Sequence, residues 1–276
     1  MVAVMDRLGD HELVRKWSKK HNRWGPDNQW SVWFGGGVVD ALVETLDVHF
    51  HTPPEISRRY QPQPAVLGAV PWMTHEKVID RLSHHRSCVV MAKPRPGKTL
   101  KEEIVAYARN GEPFPKEALY QLDDWGPISE DGGPPLITPG APFPVESNPL
   151  GPVRVVGYRG DMTPILHTKL LLLGVIYWLE DDELTWTERL MFRPDRVWWG
   201  SANFTTFSGS HLEMGTLSDD PALLEHALDY LIDLIRLSEP FDSVSYWPTP
   251  DMAAGTWDDD AFAELAAEVY GDDEDE

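Results

Sequence analysis

Two short polar patterns carry the chemistry of this chain. His167-Thr-Lys169 opens the apolar run Leu170 to Leu173, and Ser201-Ala-Asn203 closes the run Arg196-Val-Trp-Trp-Gly200. Side chains alternate faces along a strand, so residues two apart point the same way. His167 and Lys169 are therefore expected on one face, and Ser201 and Asn203 on one face. If the two strands are neighbours, an imidazole, an ammonium, a hydroxyl and an amide converge. That set holds a phosphate and attacks it: the imidazole is a nucleophile or proton carrier, and the other three suit non-bridging oxygens.

The elements that must position these residues follow from periodicity. Pro64 to Lys93 reads strand, helix, strand, with Ala65 to Trp72, Thr74 to Leu82 and Ser87 to Ala92 as the three pieces and Thr74 as N-cap. That βαβ unit implies a parallel or mixed sheet with helices packed on it. A helix is expected from Val38, behind a tight turn at Gly35–Gly37. Another runs from Leu100 to Asn110, closed by Gly111. Val153 to Tyr158 and the two motif runs are strands, with an acidic, Trp-containing hairpin extension between Gly174 and Arg196. Pro221 to Leu237 is a helix capped by Asp219 or Asp220, with Leu224, Ala227, Leu228, Leu231, Ile232 and Ile235 on its apolar stripe.

Three other patterns look functional and are read as structural. Arg15, Lys16, Lys19, Lys20 and Arg23 are assigned to the solvated face of an N-terminal helix. His75-Glu-Lys77 falls in a helical first turn, where residues two apart do not face each other. Ala92 to Thr99 resembles a phosphate loop, but Ala92 replaces its first glycine, and Pro94 and Pro96 remove backbone donors.

Composition bounds the rest. The 276 residues are 42% hydrophobic with 12 Trp, enough for a real core. The single cysteine, Cys88, excludes an internal disulfide and a cysteine-built zinc site. The first residues lack a basic stretch followed by a long apolar one, and no apolar run approaches membrane-spanning length. A cytoplasmic protein without stable membrane insertion is expected. The formal charge is −21, and residues 251–276 carry 11 acidic and no basic side chains. This imbalance disfavours extended charge-driven contact with a nucleic-acid backbone but not a local basic pocket. The organisation expected is a polar, basic lead over 1–27, a domain over 28–250 and an acidic tail over 251–276. Within the domain, residues 111–152, with 10 prolines and 6 glycines, form a surface connection.

His167-x-Lys169, Gly200-Ser201-x-Asn203 and Glu213 resemble the phosphodiesterase motif of the phospholipase D superfamily, and Asn203-Phe-Thr resembles its small bacterial endonuclease members. The family pattern has an aspartate where this chain has Gly174, and an asparagine where it has His211. The resemblance covers 153–237 and extends to 28–93. It implies an α/β fold, a phospholipase D-like mixed β-sheet flanked by helices, and metal-independent hydrolysis through a phosphohistidine. His167 would be nucleophile or general acid, and Lys169, Ser201 and Asn203 would bind phosphate oxygens. Glu213 would orient a histidine, and His211 would keep a hydrogen bond at the substrate. One motif supplies one histidine, so the resemblance implies a homodimer completing a shared active site. A nuclease is the first expectation. A hydrolase of phospholipids or other small phosphodiesters, and an inactive binding or assembly module, are the alternatives.

Overall fold

Leu170 to Leu173 are apolar at four consecutive positions because their strand is covered on both faces. The computed structural model describes residues 22–24, 30–52, 60–92, 101–122, 150–156, 166–180 and 188–241. Its strands are β1 (Asn22–Trp24), β2 (Trp30–Phe34), β3 (Gln63–Val70), β4 (Arg86–Ala92), β5 (Val153–Val156), β6 (Leu170–Glu180), β7 (Glu188–Gly200), β8 (Met214–Ser218) and β9 (Glu239–Pro240). They form one mixed sheet of nine strands in the order β1-β2-β8-β7-β6-β3-β4-β5-β9. β3, β4 and β5 are mutually parallel, and every other pairing is antiparallel.

Helices α1 (Val38–His51), α2 (Glu76–Ser83), α3 (Glu102–Asn110) and α4 (Pro221–Leu237) cover the two faces unequally. α1, α2 and α3 pack Leu42, Leu46, Val78, Leu82 and Ile104 on the face carrying Val66, Val89, Leu171 and Trp198. α4 packs Leu224, Leu231, Ile232 and Ile235 on the face carrying Leu67, Val90, Leu172 and Val197. The alternation of Leu171 and Leu172 between these cores is the strand period at work. Asp220 accepts from the Leu223 N–H at 2.9 Å with Pro221 in the first turn, a cap that stabilises α4 by about 1 kcal/mol. The buried Arg154 of β5 ties in the other end of α4, donating to the Ser238 hydroxyl at 2.6 Å and its carbonyl at 2.9 Å.

The α/β class, the βαβ unit, α1, α4 and the β6–β7 hairpin are as expected. Several details differ. β2 and β8 were not anticipated: they are five residues each, and Met-Gly-Thr-Leu-Ser has weak strand character until it is sandwiched between β7 and β2. The N-cap of α2 is His75, not Thr74, and no side chain caps it. Gly111 does end α3, but in extended conformation at φ −66° rather than a left-handed cap. The start of the proline-rich connection is not a surface loop. Residues 114–122 include two short 3-10 turns, and Phe114, Leu119 and Leu122 are buried in the α4-side core. The N-terminal helix, the phosphate-loop-like segment after β4 and the acidic tail lie outside the described residues, but Arg23, assigned to that helix, stands in β1 opposite Trp33. Among the described residues, no helix is long and apolar enough to cross a membrane.

One buried polar pair makes the fold sensitive to acid. His49 of α1 and His85, just after α2, meet Nδ1 to Nε2 at 3.2 Å, and His85 Nδ1 donates to the Arg81 carbonyl at 2.8 Å. Both are buried, and burial pushes His49 down to about 3 and His85 down to about 4, with each imidazole facing another histidine. A folded-state pKa below the unfolded value of about 6.5 means that the unfolded chain binds more protons below that pH. Their contribution is therefore complete above pH 6.5 and falls as the pH drops toward 4. Urea unfolding at pH 7 and pH 5 should show a loss of up to about 2 kcal/mol per histidine. Equal stability at the two pH values would contradict this account.

Candidate active site

The strand register brings the motif residues to one edge of the sheet. Ala69 at the end of β3 pairs with Leu170 at the start of β6, and Leu170 pairs with Trp199 near the end of β7. Gly200 pairs with Gly215, and Met214 at the start of β8 pairs with Phe34 at the end of β2. His167, Lys169, Ser201, Asn203 and Glu213 all lie within three residues of one of these strand ends. α1, α2 and α3 follow β2, β3 and the loop after β4, so their positive N-terminal ends face the same edge. None of the three has a side-chain cap. Asp40, Glu76, Glu102 and Glu103 in their first turns offset part of that field.

His167 and Lys169 are not inside a strand. Residues 166–169 lead into β6 without being part of it, and the Gly200 N–H donates to the Lys169 carbonyl at 3.2 Å. Their side chains nevertheless meet as strand alternation requires: Lys169 Nζ is 3.1 Å from His167 Nε2. An ammonium has no lone pair and can only donate, so Nε2 is the acceptor in this contact. Lys169 is 7% exposed and His167 is exposed. A largely buried ammonium thus stands behind an accessible imidazole.

Ser201 and Asn203 depart further from expectation. The chain bends at Ser201, just past β7, so neither residue lies within the strand ladder. Ser201 is exposed and donates its hydroxyl to Glu213 Oε2, while its oxygen accepts from the Met214 N–H at 2.9 Å. Asn203 is 3% exposed. Its neighbour Phe204 is clamped to the loop after β3, donating its N–H to the Trp72 carbonyl at 3.1 Å. The Phe204 carbonyl accepts from Thr74 and His75 N–H, each at 2.8 Å. That clamp was invisible in sequence, because it joins residues about 130 apart.

Glu213 does not touch His167 within the chain. It accepts from Ser201 and lies 3.9 Å, Oε1 to Nδ1, from His211, which is exposed. The Gly35 N–H donates to its carbonyl at 2.8 Å, which fixes it beside the turn into α1. His75, set aside as chance, caps α2 through its backbone, and burial lowers its pKa. Among the described residues, no group of three or more His, Cys, Asp or Glu side chains is arranged to hold a metal ion. One contact had no sequence signal at all: the Tyr230 hydroxyl of α4 meets the Thr168 hydroxyl at 2.5 Å, between the two motif residues.

Gly174 occupies the aspartate position for a local reason. The β6–β7 register shifts between Leu173 and Gly174, a bulge that leaves Asp195 as the extra residue of β7. A Cβ at Gly174 would lie 2.2 Å from the Arg193 carbonyl oxygen and 2.8 Å from Phe192 Cε2. No side chain fits there without moving backbone.

No protein-family model and no curated protein matches the chain. Among solved structures it is similar in fold to NucT from Helicobacter pylori, with 12% identity and a TM-score of 0.42 over 77% of this chain and 99% of that one. It is also similar to Nuc from Salmonella typhimurium, a phospholipase D family member. That likeness has 16% identity and a TM-score of 0.40 over 76% of this chain and 97% of the other.

The bulge makes a testable statement about the missing aspartate. Restoring it with Gly174→Asp should destabilise the fold by at least the 1–3 kcal/mol of an overpacked core, lowering the urea midpoint. Gly174→Ala should show most of the same loss. A midpoint unchanged in both variants would mean that the bulge does not need glycine.

Proposed function

We propose that this chain is a phosphodiesterase of the phospholipase D type, a metal-independent hydrolase that uses His167 as nucleophile and acts on nucleic acid. The observation that carries the proposal is the contact of a buried Lys169 ammonium with the accessible His167 imidazole, on the sheet edge that also bears the Ser201–Glu213 pair. In this reading the Lys169 proton on Nε2 keeps that nitrogen unprotonated until substrate arrives. The ammonium then turns to the phosphate, where its burial makes it a stronger partner for oxygen than it would be in water. Nε2 attacks phosphorus, a P–N bond forms, and the bond to the leaving oxygen breaks. Water then cleaves the phosphohistidine and regenerates the imidazole. Lys169, Ser201 and Asn203 hold the non-bridging oxygens through both steps.

The leaving oxygen needs a proton, and the motif supplies one imidazole per chain. We assign the acid to His167 of a second copy, so that two chains complete one site. Glu213 is engaged by Ser201 within its own chain, so the histidine it orients is either His211 or one from the second copy. A phospholipid substrate is the second reading. It is favoured by Phe34, Leu212 and Met214, which flank Glu213 and are 39%, 55% and 39% exposed.

Hydrolysis of bis(4-nitrophenyl) phosphate, a single-stranded oligonucleotide and phosphatidylcholine vesicles, each with EDTA, tests these assignments. The aryl diester and the oligonucleotide should be cleaved, and His167→Ala should lower the rate at least 100-fold. Cleavage of the vesicles in place of the oligonucleotide would move the substrate to lipid. No turnover of any diester by the folded protein would remove the enzyme reading.

A further inference from the structure

His167 and Lys169 stand outside the ladder of β6, so the sheet alone does not set how they turn. Along residues 166–169, the hydrogen bond from Gly200 to the Lys169 carbonyl fixes where the backbone lies. It leaves rotation about the chain axis to side chains. Alternation sends Thr168 to the side opposite its two neighbours. On that side lies α4, and its Tyr230 hydroxyl meets the Thr168 hydroxyl at 2.5 Å. We propose that Tyr230 is a positioning residue: by holding Thr168 against α4, it turns His167 and Lys169 together toward the site. This inference rests on the phosphodiesterase reading for its catalytic consequence but not for its geometric one.

Tyr230 suits that task because its own place is fixed by neighbours rather than by the contact it makes. The next two residues, Leu231 and Ile232, are buried in the core against β3, β6 and β7. α4 is anchored at its start by the Asp220 cap and at its end by Arg154 on Ser238. Tyr230 itself is 42% exposed, so its hydroxyl adds little to the packing of the helix. Removing that one oxygen should leave the fold intact and release the lead-in segment. A net hydrogen bond of this kind is enough to change how often a short segment is correctly turned. Small misplacement of reacting groups is costly in rate even where binding is kept.

The two motif residues would then be oriented from behind by a helix more than 60 residues downstream, and the rest of the site from in front by Ser201 and Glu213. The expectation is a loss in kcat with little change in KM, because Thr168 and Tyr230 do not themselves hold substrate in this arrangement.

The test uses the full chain and three variants, Tyr230→Phe, Thr168→Val and the double variant, with Thr168→Ser as the conservative control. With bis(4-nitrophenyl) phosphate, each single variant should lower kcat about tenfold while KM stays within twofold. The double variant should lose no more than either single one, since both remove the same contact. Thr168→Ser should keep the wild-type rate, and every variant should still unfold cooperatively well above the assay temperature. Independent of turnover, the His167 imidazole signal in a proton–nitrogen spectrum, identified by its absence in His167→Ala, should shift in Tyr230→Phe while those of His49 and His85 do not. An unmoved His167 signal, or additive losses in the double variant, would overturn the positioning role. A shifted signal in a protein that cleaves no diester would keep the positioning role and remove the phosphodiesterase reading instead.

Discussion

The antiparallel register of β6 against β7 is the constraint on which everything else depends. It places Leu170 opposite Trp199, so the start of one strand and the end of the other share an edge. It also buries Leu171 and Trp198 toward α1 and α2, and Leu172 and Val197 toward α4. A slip of one residue would exchange those faces and put leucines and tryptophan against the wrong helices. The register is thus enforced by two cores at once. Its close fit shows at Gly200, where a Cβ would meet the Met214 carbonyl oxygen at 2.2 Å. The glycine of the Gly-Ser-x-Asn pattern is there because β8 passes too near for anything larger.

From that edge outward, polar groups are held by backbone more than by one another. Lys169 is fixed through its carbonyl, Ser201 through the N–H of Met214, Glu213 through its carbonyl and Asn203 through its neighbour Phe204. This arrangement leaves side chains oriented while their chemistry stays available, which is what a site needs before substrate arrives. The same edge collects the positive ends of three helices. In a chain carrying 45 acidic and 24 basic residues, that local geometry matters more than net charge.

The buried histidines show the opposite use of a polar group. His49 and His85 bond to each other, and His85 to the Arg81 carbonyl, at the far ends of α1 and α2, away from the motif edge. Three of the ten histidines, at 51, 84 and 85, pack on Phe50 and His49 stacks on His85, and the sequence alone offered no way to separate the four from a catalytic cluster. Burial decides the matter for His49 and His85, since their imidazoles are held neutral and sealed.

Local pattern carried as much of this fold as periods of a few residues can hold. Apolar runs of strand length, the βαβ unit at 64–93, the stripe and cap of α4, and the His-x-Lys and Gly-Ser-x-Asn spacings were all legible, because strand and helix periods act within a dozen residues. The pairing of Lys169 with His167 belongs here too, since two-residue alternation persists even outside the ladder. The remainder came from packing between distant segments. The strand β8 exists because β2 and β7 flank it. Ser201 stays exposed while Asn203 is buried, because the chain leaves the sheet at a bend. Gly174 is glycine because a bulge brings Arg193 against it, and Glu213 faces Ser201 rather than His167. Tyr230 reaches Thr168 across 62 residues of chain. Each of these is a contact between segments distant in sequence, and periodicity within one segment holds no information about which other segment will be packed against it.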